Sequence, residues 1–187
     1  MTAVSTIGTA LRLRSRLRVR LALAGVVACG LAALAWAAWV RPLPRLVYNP
    51  SDSVPVGWYR IGPADALRVG AIVLTTLPPA AAALAAQRRY LPARVPLLKR
   101  VGAVAPQHVC IFDALVWIDG VPVAAALPAD RLGRPLPSWP HCRRLEPGEL
   151  FLLSSTNLAS FDSRYFGPVS ASAVIGVAHP VWPEKRP

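Results

Sequence analysis

The run His108-Val-Cys-Ile-Phe-Asp-Ala-Leu-Val-Trp-Ile-Asp-Gly-Val-Pro-Val-Ala124 decides the fold class. HVCIF (108–112) and LVWI (115–118) are short runs of β-branched and aromatic residues, each closed by a turn signal. Asp119-Gly120 is a dipeptide that accepts the left-handed backbone of a tight hairpin, so LVWI should fold back onto VPVA. Working outward, the same signature recurs at Gly57–Ile61, Gly70–Thr76, Val95–Arg100, Glu149–Leu153 and Ala173–Ala178, each bounded by Gly, Pro or Asp. Only Pro79–Arg89 reads as a helix, with proline near its start, alanines throughout and two arginines at its end. Residues 128–147 carry five prolines and no clear period, which reads as a loop. No internal repeat is present. Many short strands with one helix predict a coiled all-β domain, a distorted barrel or sandwich.

The N-terminal part is of a different kind. Leu21 to Val40 contains no charged residue and no proline. Twenty helical residues span about 30 Å, the thickness of a bilayer's hydrocarbon core. Arg12, Arg14, Arg16, Arg18 and Arg20 precede this run, with no acid among residues 1–20. That charge bias places the N-terminus in the cytoplasm. The run exceeds the apolar segment of a cleaved signal peptide, so a retained anchor is expected. The expected organisation is a cytoplasmic arginine-rich tail (1–20), a single membrane span (21–40) and an extracytoplasmic domain (41–187). Residues 41–50, RPLPRLVYNP, form a proline-stiffened exit from the bilayer.

The net charge of +12 invites a nucleic-acid reading. The tail supplies five of those charges, and from Arg41 onward 16 basic against 9 acidic residues leave +7. These arginines are scattered and form no basic helix or interleaved aromatic pattern, so no nucleic-acid partner is expected. A basic surface attracted to anionic membrane lipid is the simpler reading.

Three cysteines are present. Cys29 lies in the apolar span as a small packing residue. Cys110 and Cys142 lie in the exported part, where an oxidising compartment permits them to pair. Sequence alone does not fix that connectivity. His108 and His141 each lie near one of them, but no CxxC or HxxxH spacing accompanies them, so no metal site is expected.

Three stretches could carry chemistry. In Asn49-Pro-Ser-Asp-Ser-Val-Pro-Val-Gly-Trp-Tyr59, Ser53 stands between prolines 50 and 55. The plain reading is a polar turn before a strand. The chemical reading is a nucleophile on a stiffened bend, with Ser51 two residues earlier as an oxyanion donor beside the Ser53 N–H. A nucleophilic serine needs a base, and no histidine stands in a recognised hydrolase context. The chain holds only two lysines among its 21 basic residues, and Lys99 closes the apolar run Val95-Pro-Leu-Leu-Lys. It is either an ordinary strand-end lysine or a base, since a desolvated lysine amine can lose its proton where an arginine cannot. The third stretch is Ser160-Phe-Asp-Ser-Arg-Tyr-Phe-Gly-Pro168. Asp162 and Arg164 make either a loop ion pair or a rigid support, with Ser160 orienting the lysine amine.

In this order the three stretches resemble the type I signal peptidase superfamily of serine–lysine peptidases, and most of all its TraF-type conjugative-transfer members. The resemblance runs from the anchor to about Trp182. SVPVGWY (53–59) resembles the TraF-like form of the family's S-x-S box, although signal peptidases proper carry methionine where Val54 stands. Lys99-Arg-Val-Gly102 resembles the family's lysine box. Ser160 with Asp162-Ser-Arg-Tyr-Phe-Gly167 resembles its last box, but Ser154-Ser-Thr-Asn157 departs from the G-D-N-R that normally precedes it. The resemblance implies Ser53 as nucleophile, Lys99 as general base, an oxyanion hole from Ser51 and Ser53, and no metal or cofactor. It further implies a bacterial inner-membrane enzyme cutting exported precursors, with a conjugative pilin as substrate and hydrolysis or cyclisation as outcome. Two other readings remain: a general signal peptidase, and an idle anchored scaffold for pilus assembly.

Overall fold

The computed structural model describes residues 3–39, 45–65, 67–154 and 156–183, divided into two compact units, 1–43 and 44–187. In the first unit, Ala3–Trp39 forms one continuous helix, α1. Its segment Arg18–Trp39 has mean hydropathy 2.2 and is long and apolar enough to cross a membrane. Leu23, Val26, Leu31, Leu34 and Trp36 are all exposed on it. A helix segment apolar all round is suited to lipid as well as to a protein core, and its length matches a bilayer. Val40, the prolines at 42 and 44 in the expected exit, and Lys185 lie outside the described residues.

The second unit is mostly β, and every named strand pairing in it is antiparallel. Its elements are β1 (Leu46–Asn49), β2 (Gly57–Gly62), β3 (Ile72–Thr75), α2 (Pro79–Gln87), β4 (Leu97–Val104), β5 (His108–Phe112), β6 (Leu115–Ile118), β7 (Val121–Ala125), β8 (Cys142–Arg144), β9 (Glu149–Leu153), α3 (Ser163–Phe166), β10 (Val169–Ser170) and β11 (Val174–Pro183). Seven strands form one sheet in the order β1-β2-β11-β3-β4-β9-β10, and four form another, β7-β6-β5-β8.

Local chemistry accounts for most of this. The β6–β7 hairpin turns on Asp119 (φ 50°) and Gly120 (φ 82°), the double left-handed backbone that Asp-Gly tolerates. The strand β2 alternates between buried and exposed over Gly57–Arg60, as a sheet with one covered face requires. The strand β4 is long because it serves two partners: Leu97–Arg100 pairs with β3, and Arg100–Val104 with β9. Its register shifts between Val101 and Ala103, at Gly102. A Cβ on Gly102 would lie 2.9 Å from Leu153 Cδ1, so glycine lets the two strands close.

Some expectations change. Leu46–Asn49, expected to be part of a stiff exit, is a strand, because its backbone finds β2 beside it. Cys142–Arg144, inside the expected loop, pairs with His108–Cys110, and a disulfide joins the directly opposed Cys110 and Cys142. The helical turn α3 is too short to show a helical period.

Three buried clusters form the core. Val54, Tyr59, Ile72, Leu74, Leu98 and Ala178 meet around β2, β3 and β4. Val73, Val101, Leu150, Leu152, Val169 and Val174 pack on the neighbouring part of the large sheet. Val109, Val116, Ile118, Phe151 and Leu153 join the small sheet to β9.

Among the described glycines, the tightest surroundings are those of Gly176, where β11 meets β2. A Cβ on Gly176 would stand 2.2 Å from the Gly62 carbonyl oxygen and 2.6 Å from Ile61 Cγ2. Backbone cannot yield as a flexible side chain can. Gly176→Ala should therefore lower the unfolding free energy by about 1–3 kcal/mol, read by denaturant titration of the solubilised chain. An unchanged midpoint would mean that the two strands are not held this close.

Candidate active site

The turn between β1 and β2 is built on Asn49, whose side chain is buried. Its Nδ2 donates to the carbonyls of Ser51 (2.8 Å), Val54 (3.0 Å) and Pro55 (3.2 Å). Its Oδ1 accepts from the Ser51 N–H (3.2 Å) and from the Ser51 hydroxyl (2.8 Å). One amide therefore fixes the bend that prolines 50 and 55 stiffen, while Val54 plugs the turn into the core. Ser53 is nearly buried, and its Oγ lies 2.9 Å from Ser51 Oγ. The Ser53 hydroxyl donates to the Leu98 carbonyl at 3.2 Å, which places it beside β4.

Lys99 follows on that strand, opposite Val73, and is 2% exposed. Its ammonium is poorly solvated, and this burial is the main reason its pKa falls to about 8. The charge of Asp162 opposes the fall and that of Arg164 supports it. Lys99 Nζ donates to Ser160 Oγ in a short hydrogen bond. Ser53 and Lys99 line the same cleft, of about 580 Å³, each held by a different hydrogen bond.

Ser160 is positioned by a buried ion pair. Asp162 and Arg164 are both 0% exposed. Arg164 Nε and Nη2 donate to the two carboxylate oxygens at 2.7 and 2.8 Å, the fork geometry that suits guanidinium and carboxylate. The remaining Arg164 donors reach the carbonyls of Ala125 (2.7 Å), Leu158 (3.1 Å), Ser160 (3.0 Å) and Asn157 (3.4 Å). Asp162 caps α3 by accepting from Arg164 N–H, and its other oxygen accepts from the Ser154 N–H at 2.9 Å. The loop carrying Ser160 is thus tied to the ion pair at four carbonyl or amide groups.

Several contributors escaped the sequence. Ser154 donates to the Ser53 carbonyl at 2.9 Å, and Thr156 to the Asp52 carbonyl at 2.8 Å. The stretch that departs from the family pattern therefore grips the Ser53 turn directly; Ser155 lies outside the described residues. A cleft wall of Arg88, Tyr90, Asp130 and Arg134 was not expected at all. No local pattern joins residues 40 positions apart, so the sequence held no signal for it. Near the disulfide, His108 Nδ1 is 3.6 Å from Cys110 Sγ and Nε2 is 3.9 Å from Cys142 Sγ, while the His141 ring packs on Trp139 instead. Sulfurs bonded to one another are not thiolate ligands.

Known proteins are similar to this chain along most of its length. The family described as "Signal peptidase, peptidase S26" matches residues 18–182. A plasmid transfer protein TraF from Escherichia coli is 36% identical over 178 residues, covering 89% of this chain and 98% of its own. A probable conjugal transfer protein TraF from Sinorhizobium fredii is 35% identical over 141 residues, 71% of this chain and 74% of its own. A signal peptidase I structure from Enterococcus faecalis covers 60% of this chain and 97% of its own length at 20% identity, with a TM-score of 0.38. Matched from its apolar helix to its last strand, and more than one-third identical to a plasmid transfer protein along most of its length, this chain belongs to the signal peptidase family of serine peptidases.

Proposed function

We propose that this protein is a membrane-anchored serine endopeptidase that processes an exported precursor for a conjugation apparatus, with Ser53 as nucleophile and Lys99 as general base. The observation that carries the reading is the burial of Lys99 in the cleft that Ser53 lines, where desolvation brings its pKa to about 8. An ordinary lysine is almost wholly protonated at neutral pH and cannot accept a proton; this one has a usable neutral fraction. The conjugal-transfer names of its relatives support the biological setting, and a pilin precursor is the substrate that fits it.

The chemistry runs in two halves. The Ser53 hydroxyl turns from the Leu98 carbonyl toward Lys99, whose neutral Nζ takes the proton as Oγ attacks the scissile carbonyl carbon. Ser160 orients the amine during this step. The oxyanion is held by the Ser51 hydroxyl and the Ser53 N–H. The C–N bond breaks, and protonated Lys99 returns the proton to the departing amine. The acyl group on Ser53 is then released by water, or by an amine of the same substrate, which closes a ring. Among the residues, 1–20 serve as a cytoplasmic tail, 21–40 as the inner-membrane span and 41–187 as the extracytoplasmic peptidase domain.

Lys99→Arg keeps the positive charge and most of the apolar contact, yet guanidinium stays protonated. The purified, folded variant should be inactive on a small exported substrate, matching Ser53→Ala, because it has no group able to accept the Ser53 proton. Activity within a few-fold of the parent would end the serine–lysine mechanism.

The parent's pH profile follows from the depressed pKa. Below about 8, Lys99 is mostly protonated and cannot act as base, so kcat/KM should rise about tenfold per pH unit and level off above it. A flat profile between pH 6 and about 9 would remove Lys99 from that role.

Ser51→Ala removes one oxyanion donor and should lower kcat about 10²–10³-fold in a folded protein. Full activity would confine Ser51 to the turn that Asn49 organises. The orientation is tested separately. A reporter active only outside the cytoplasm should be active when fused after Trp182 and silent when fused before Arg12. The opposite pattern would place the domain on the wrong side for exported substrates.

A further inference from the structure

One wall of the cleft is built on charge. Tyr90 Oη donates to Asp130 Oδ2 in a short hydrogen bond, and Arg134 Nε donates to the same oxygen at 2.7 Å. Asp130 Oδ1 accepts from the N–H groups of Leu132 (2.9 Å) and Arg134 (3.0 Å). The Arg134 guanidinium also lies over the Tyr90 ring, 5.4 Å from its centroid. This set closes the 130–134 turn, and Arg134 Nη2 also reaches the Arg88 backbone carbonyl at 3.4 Å, so the turn is fastened to the end of α2 without the Arg88 side chain.

Arg88 does not belong to that closure. Its side chain is 18% exposed, and its Nη1 stands 4.0 Å from Asp130 Oδ2 and 3.4 Å from Tyr90 Oη. Both contacts are long for a charged donor. The Asp130 carboxylate, already holding four shorter bonds, has little left to offer it. The Arg88 and Arg134 guanidiniums thus share one carboxylate, and with Arg131 in the same turn this wall of the cleft is net positive. Leu91, Leu132, Leu136 and Phe161 line the same cleft, so charge there is less screened than at an open surface. When substrate fills the cleft and displaces solvent, the Arg88 donors that Asp130 and Tyr90 leave free are costly to desolvate unless the substrate supplies an acceptor.

We propose that Arg88, backed by Arg134, is a carboxylate-binding subsite of the substrate cleft, selecting precursor segments that present an acidic side chain or a free C-terminus. This rests on the peptidase reading and adds a specificity to it. Its chemistry is bidentate recognition of a planar anion by a planar fork, which a lysine would not reproduce. The competing account makes Arg88 a clamp fastening the 130–134 turn to the end of α2. A clamp would affect all substrates alike, whereas a subsite sorts them by charge.

The experiment uses the solubilised full chain and quenched-fluorescence peptides with one Asp moved stepwise along an alanine-rich segment. The Asn version of each peptide is the control, and each is made with a free or an amidated C-terminus. At one position Asp should be favoured over Asn by about tenfold or more in kcat/KM, carried by KM. If the terminal carboxylate is the ligand, the free acid should be favoured over the amide instead. That ratio should fall close to one in Arg88→Met and recover only in part in Arg88→Lys. Because the readout is a ratio within one preparation, partial loss of folded protein cancels. Should Arg88→Met fail to fold, Arg88→Lys and the parent's own salt dependence carry the test, since a charge preference should shrink as salt is raised. No preference for any acidic or free-acid peptide, or a preference that survives in Arg88→Met, overturns the subsite while leaving the peptidase intact. Failure of the parent to cleave any peptide would count against the peptidase reading itself.

Discussion

Asp162 and Arg164 face one another where no water reaches them. Taking two charges out of solvent costs several kcal/mol per ion, and such a pair persists only if nearly every donor and acceptor is satisfied. Here Arg164 distributes its N–H groups between the carboxylate and four backbone carbonyls, and Asp162 also accepts from backbone amides of Ser154 and Arg164. Removing one partner of a pair like this typically costs about 3–5 kcal/mol. The loss would not stay local. The same bonds shape the 154–160 loop, that loop holds the Ser53 carbonyl through Ser154, and its last residue receives the Lys99 amine. The ion pair is thus the fixed point from which both halves of the candidate dyad are placed.

The electrostatics of Lys99 depend on that pairing too. A lone aspartate close by would hold the ammonium charged, and a lone arginine would expel its proton. Asp162 and Arg164 act on Lys99 in opposite senses, Asp162 the more strongly, and neither outweighs desolvation. That desolvation is set by the apolar residues along β3 and β4. The core therefore tunes the amine, and a change in packing near Val73 or Val101 would be felt as a change in proton affinity.

How much of this was legible depends on range. HVCIF and LVWI fold as read, to the residue, because each is a local run with its own turn chemistry. Cys142–Arg144 was hidden by surrounding prolines, and its pairing is decided by β5, more than 30 residues earlier. Leu46–Asn49 was masked in the same way by the prolines on either side. Ser51, Ser53, Lys99, Ser160, Asp162 and Arg164 were picked out by unusual residue types in short boxes, and the fold gathers them around or behind one cleft. Asn49, Ser154 and Thr156 were passed over because a single amide or hydroxyl in a turn is common and only its partners distinguish it. Arg88 was invisible for a stronger reason: in a chain with 19 arginines among its 21 basic residues, another arginine carries no signal until its neighbours are known.

The small sheet stands in a different relation to the site. Among the described residues that line the cleft, none comes from β5, β6, β7 or β8, although together these strands make up a substantial part of the folded domain. Their attachments include the shared core with Phe151 and Leu153, the two-bond ion pair from Arg143 of β8 to Glu149 of β9, and a bond from Arg164 to the Ala125 carbonyl. The turns at Asp113–Ala114 and Asp119–Gly120 can accept inserted residues or a grafted hairpin at the cost of one new loop closure, without moving a cleft side chain. Divergence in chain length and surface character among such enzymes can accumulate in this appendage while the chemistry is inherited unchanged.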